Sequence, residues 1–166
     1  MNDLNEKILR WADDRGILAN GTPEGQMRKV LEEYREAAEA IALYQFIAEA
    51  SPVLAEHALE RVKAELGDQY ITLVIHAKMT STQLTFPHTL DVMCGHENKW
   101  ILDMLGANVL ILSRCQQPDY YCTVVYLISQ LAQNHRLTLR ECVEHSYNVI
   151  SKRTGEMIDG VFVKSK

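Results

Sequence analysis

The chain has 166 residues, 47% of them apolar, and a formal net charge of −5. That is enough for one domain with a real core and close to the soluble globular norm, so neither a disordered chain nor a membrane protein is expected. No basic block offers a footprint for nucleic acid, so any polyanionic partner has to be small and bridged by a cation.

Apolar stretches such as Ile71–Ile75 and Val109–Leu112 are far too short to span a bilayer. The polar, acidic N-terminus carries no signal-peptide pattern. Cys94, Cys115, Cys122 and Cys142 lack the paired close spacing of a zinc site. They are expected to be buried thiols in a reducing compartment, which places the protein in the cytoplasm.

In chain order, Asp3 and Glu6 suit a capping box for a first helix that carries Leu4, Ile8, Trp11 and Ala12 on one face and ends at Gly16. Ile17 to Gly25 is expected to be a loop. Thr22-Pro23 then reads as a cap followed by proline at the first helical position, opening a helix to about Ala50. Ser51-Pro52 repeats that signal for a third helix reaching about Met79, loosened at Gly67. Its apolar residues lie on both sides of its acidic face, so it is expected to be buried. Thr80 to Thr85 is a polar turn, and Phe86 to Gly95 is a candidate short helix. Further helices are expected over Trp100–Arg114, from a cap at Asp119 to Asn134, and over Leu139–Arg153 behind a Thr138/Glu141 capping box. In the tail, Gly160–Lys164 reads as a docked extended segment. No other stretch alternates like a strand, so the fold class is all-α, a single domain over 1–166.

Two acidic patterns carry the chemistry: Glu32-Glu33-x-x-Glu36 on the second helix and Glu65-x-x-Asp68 on the third. Residues three apart on a helix share a face, with Cβ atoms roughly 5–6 Å apart. At about 100° per residue, Gln26, Lys29, Glu33 and Glu36 align opposite the apolar stripe and Glu32 is turned away. If the two helices face each other, Glu33, Glu36, Glu65 and Asp68 converge. Oxygen-only ligands at that density suit Mg²⁺ or Mn²⁺ rather than zinc, and such ions are typically completed by water and phosphate oxygens. The competing reading is an ordinary solvated acidic face. His76 is a candidate neighbour of the metal or, alternatively, a satisfied buried histidine.

These residues resemble the MazG-like all-α nucleoside triphosphate pyrophosphohydrolases, relatives of the dimeric dUTPases. Trp11-Ala12, Arg15-Gly16-Ile17, Gln26 and Lys29 before the acidic patterns carry the resemblance too, as do Tyr147–Ile150, Arg153, Gly155, Met157 and Gly160–Lys164 after them. The resemblance implies a helical bundle that binds Mg²⁺, with Mn²⁺ as a substitute, through Glu33, Glu36, Glu65 and Asp68. It implies cleavage of a (d)NTP to (d)NMP and pyrophosphate, by attack of a metal-activated water that Glu32 or Glu36 orients as general base. Asn148, Lys152 and Arg153 are then expected on the phosphates, Gln26 and Lys29 on the substrate, and Trp11 on the base or in the core. A homodimer or homotetramer is expected, because so many helices are apolar on two sides. The middle departs from the family. A Leu-Thr-Leu-type turn occurs at both Leu84-Thr85-Phe86 and Leu137-Thr138-Leu139, so residues 80–122 read as an inserted helical segment or a degenerate partial repeat. The rival functions are a non-catalytic interaction protein that retains an acidic face, and a di-iron bundle, which lacks its usual Glu-x-x-His pairs.

Overall fold

Two prolines organise the body of the molecule. In a computed structural model of the chain, residues 1–84, 96–158 and 161–164 are described, with side chains through Gly155. Pro23 opens α3 (Pro23–Ala50), where the Thr22 hydroxyl accepts from the Gly25 N–H at 3.0 Å. Pro52 opens α4 (Pro52–Met79) and forces Ser51 out of the helical region, to φ −155° and ψ 112°. Ser51 therefore does two jobs. Its N–H donates to the Ile47 carbonyl to end α3, and its side chain accepts from Leu54 N–H to cap α4. A single residue separates two helices of 28 residues each, so they fold back as a long hairpin and pack along each other.

The remaining elements are α1 (Asn2–Asp14), α2 (Ile17–Asn20), α5 (Asn98–Leu112), α6 (Pro118–Asn134), α7 (Leu139–Ile150), β1 (Gly155–Ile158) and β2 (Val161–Lys164). The body is all-α, and the two short strands pair antiparallel, Gly155 opposite Lys164 and Ile158 opposite Val161. Helix α4 is central: α1, α3, α6 and α7 all pack on it. Its second half is buried almost all round, from Leu66 through Ala77, as its two-sided apolar pattern predicts.

The close approach of α7 explains Gly67. A Cβ at that position would collide with the Cys142 carbonyl and the Ser146 hydroxyl, and the Ser146 hydroxyl donates to the Ala64 carbonyl at 2.8 Å. The expected loosening at Gly67 does not occur; α4 runs through it unbroken, and the glycine serves packing instead. Gly106 plays the same part for Tyr34, whose hydroxyl donates to the Leu102 carbonyl at 3.1 Å and joins α3 to α5.

Several boundaries differ from the sequence reading. Asp3 does not cap α1. Met1 holds that position, and Asp3 instead pairs with the Arg140 guanidinium at 2.8 Å, which holds its carboxyl well below the usual carboxylate range. The expected loop after Gly16 contains α2, entered through Gly16 at φ 67°, where a side chain would be strained. Helix α5 starts at Asn98 and stops at Leu112, and Gln117 rather than Asp119 is the N-cap of α6. The Thr138/Glu141 capping box is present. Helix α7 ends at Ile150, so Lys152 and Arg153 lie beyond it. The extended tail is half of a hairpin whose other half, Gly155–Ile158, the sequence reading left unassigned. The candidate helix Phe86–Gly95 lies outside the described residues, as does Cys94. Among the described residues, Cys115, Cys122 and Cys142 are free thiols, and burial pushes Cys142 up to about 12. No helix of the described residues is long and apolar enough to cross a membrane.

Candidate metal centre

One polar bond inside the α3–α4 hairpin marks its register. The buried Gln26 amide donates to the Thr72 carbonyl at 3.0 Å. In an antiparallel pair, moving seven residues forward on α3 and seven back on α4 is two turns on each, which returns to the same two faces. That step leads from Gln26 to Glu33 and from Thr72 to Glu65. Carboxylate oxygens of Glu33, Glu36 and Glu65 indeed lie within 4.8 Å of one another.

The three acids sit half-buried in the seam, Glu65 with 17% of its side chain exposed and Glu36 with 33%. Burial and the charges of Asp68, Glu36 and Glu65 together push Glu33 up to about 8, against a partial offset from Lys29. Glu65 is raised as well, by burial and by Glu36 and Asp68, with Arg61 opposing. Nearby cations do little to neutralise the group. Lys29 is held by Glu32 at 2.6 Å, Arg35 pairs with Glu39 at 2.6 Å and reaches Glu36 at 3.3 Å, and Arg61 reaches Glu65 at 3.5 Å, which leaves Glu33 as the acid of the three with no ion pair among the described residues. Such an arrangement can hold a proton or a cation; it cannot hold three bare charges at low cost.

The other expected site residues divide. Asp68, one turn from Glu65, belongs to the same electrostatic group without being one of the three converging ligands. Glu32 is exposed and paired outward, beside the cluster rather than in it. Gln26 spends its amide on α4 and so acts on register. Trp11 lies under the Arg15 guanidinium, 5.1 Å from its centroid, and Arg15 in turn donates to the carbonyls of Ser151 at 3.2 Å and Arg153 at 2.8 Å. The contacts of Trp11 and Arg153 thus tie α1 to the chain after α7. Asn148 and Lys152 are exposed, on α7 and in the following turn.

His76 is a satisfied buried histidine. Its Nδ1 shares a 2.7 Å hydrogen bond with the Tyr121 hydroxyl, which also meets Thr80 at 2.8 Å, and burial lowers its pKa to about 4. A surface cleft lined by Gln45, Glu97, Asn98, Lys99 and Asn134 lies elsewhere, and Asn134 and Asn98 bond each other across it at 2.9 Å. The acids do not converge there. The sequence reading passed over Gln69, which is fully buried in α4 directly after Asp68. Its signal was present: an amide four residues past Glu65, on the same helical stripe and directly before Tyr70 and Ile71. Set against known protein families, curated proteins and solved structures, the chain matches none of them.

Proposed function

We propose that this protein is a Mg²⁺-dependent nucleoside triphosphate pyrophosphohydrolase of MazG-like type, converting a (d)NTP to (d)NMP and pyrophosphate. The observation that carries this reading is the convergence of Glu33, Glu36 and Glu65 within 4.8 Å in a half-buried seam poor in counter-charge. The donor set fits the ion: oxygen-only, from two helices, few enough that water and phosphate oxygens can complete an octahedron. Glu33, Glu36 and Glu65 would hold it, with Asp68 completing the acidic group, and Mn²⁺ would substitute for Mg²⁺.

A bound divalent cation supplies a lowered water pKa and positive charge against the phosphate oxygens. The chain's own residues do the rest. Glu36, the more open of Glu36 and Glu65, would orient the attacking water, with the exposed Glu32 as the other candidate base. Lys29, at the exposed edge beside Glu32, offers an ammonium for a substrate phosphate. Gln26 acts by fixing the hairpin register. Asn148, Lys152 and Arg153 remain the proposed phosphate contacts. Lys152 reaches from the turn after α7, while Arg153 is anchored through its carbonyl by Arg15. Trp11 remains the proposed base-stacking residue.

A homodimer or homotetramer belongs to the same reading. Met104, Leu110 and Ile111 of α5 are exposed apolar residues that a second subunit would cover. Cytoplasmic placement is supported by the free thiols.

The test is product identity across the common NTPs and dNTPs with Mg²⁺. Pyrophosphate and monophosphate in equal amounts are expected. Orthophosphate with a nucleoside diphosphate indicates γ-cleavage and removes the proposal, as does no turnover of any nucleotide.

A further inference from the structure

Gln69 differs from the other buried polar side chains. Gln26, His76, Asn108, Gln130, His135 and Ser146 each have a hydrogen-bond partner. Gln69 is fully buried, and among the described residues neither its Nε2 nor its Oε1 has one. An unpaired carboxamide in the interior carries a desolvation cost that an apolar side chain of similar volume avoids. A position that keeps glutamine under those terms points to a use for the amide.

Its placement narrows that use. Glu65, Gln69, Thr72 and His76 follow one another at helical spacing along a single stripe of α4. Glu65 and Thr72, which flank Gln69 on that stripe, both meet α3, as the Glu33–Glu36–Glu65 cluster and the Gln26–Thr72 bond show, while His76 at its end meets Tyr121 of α6. Gln69 therefore lies in the seam between the Gln26–Thr72 layer and the carboxylate layer, one turn from Glu65. Carboxylates that ligate a metal are themselves usually held by hydrogen-bond donors, and an amide N–H is such a donor.

We propose that Gln69 is a positioning residue for the acidic cluster: its amide N–H groups donate to the Glu33 and Glu65 carboxylates when these close on a divalent cation, fixing which oxygens face the ion. The inference rests on the cation reading above. It makes a prediction that a packing role does not, namely that removing the amide strengthens the empty protein and weakens the loaded one.

The test uses the full chain as wild type, Gln69→Met and Gln69→Leu, with thermal melts in the absence of divalent cations and Mg²⁺ titrated by calorimetry. The expected result is a cation-free Tm raised by about 2–8 °C in both variants. Mg²⁺ affinity should fall about 10–100-fold. A cation-free Tm lowered or unchanged in both variants shows that the amide is not an unspent cost, and overturns the inference. Wild-type Mg²⁺ affinity in variants of a protein that does bind Mg²⁺ removes Gln69 alone and leaves the cation site standing. A wild type that shows neither heat nor Tm shift with Mg²⁺ or Mn²⁺ removes the cation reading and this inference together.

Discussion

The middle and the tip of the α3–α4 hairpin depart from ordinary burial in opposite directions. In the middle, Glu33, Glu36 and Glu65 are drawn into a seam that apolar side chains would fill more cheaply. At the tip, Phe46 is 76% exposed and Val53 72%, with Leu43 and Leu54 beside them in water. Both departures sit on the same pair of helices, so helix propensity explains neither. A buried acid needs counter-charge and an exposed apolar cluster needs cover. The two departures are thus the places where the proposed cation and the proposed second subunit would act.

The largest expected effect falls in the middle. Asp68→Asn and Glu65→Gln should each lower nucleotide turnover by about 10³-fold or more, the scale of the charge stabilisation a metal provides. Helix content by circular dichroism should not change. Full activity in Asp68→Asn would break the assignment of that half of the site.

Next comes a pH effect confined to the empty protein. Burial and the neighbouring carboxylates raise the folded pKa of Glu33 to about 8, from an ordinary glutamate value of about 4.5. Below about pH 4.5 it is protonated folded or unfolded, and no penalty exists. As pH rises from there through 8, the unfolded chain ionises first, so stability falls, and above 8 the full penalty is present. With solvent screening in a half-open seam, the loss should be about 1–3 kcal/mol, read as a falling Tm in chelator. Glu33→Gln should flatten that slope. Mg²⁺ should reverse it, because binding favours the ionised cluster. A slope unchanged in Glu33→Gln would assign the effect to another group.

The smallest effect on the isolated fold belongs to the tip. Phe46→Ser and Leu54→Ser should change monomer stability by no more than about 0.5 kcal/mol, since little is lost from an exposed site. If a second copy covers the tip, the same variants should shift the light-scattering mass toward the monomer at micromolar concentration. A wild-type monomer at that concentration counts against assembly altogether.

Much of this contrast could be read from residues alone, and the unread part has a common cause. Thr22-Pro23, Ser51-Pro52 and the Thr138/Glu141 box mark helix starts because the cap chemistry is local. Helical spacing, also local, pairs Glu33 with Glu36 and Glu65 with Asp68, whereas the approach of Glu65 but not Asp68 to the first pair depends on how α3 packs on α4. The end of α7 was misplaced because the turn at Ser151–Arg153 is held by Arg15, far away in sequence. Gly67 read as a weak point because the reason for it, α7 against its backbone, is tertiary. Asp3 read as a cap because its partner Arg140 sits at the other end of the chain. The burial of Gln69 is not legible locally because it depends on the packing of other helices around α4.

If Glu33, Glu36 and Glu65 take up a divalent cation as proposed, the seam between α3 and α4 should exchange a proton for it. Calorimetric titration of Mg²⁺ at pH 7, repeated in buffers of different ionisation enthalpy, reads that exchange directly. With Glu33 raised to about 8 in the empty protein, binding should release about one proton per cation. Glu33→Gln should abolish both the proton release and most of the binding. Binding with no dependence on buffer, or no binding in the wild type, would contradict the account.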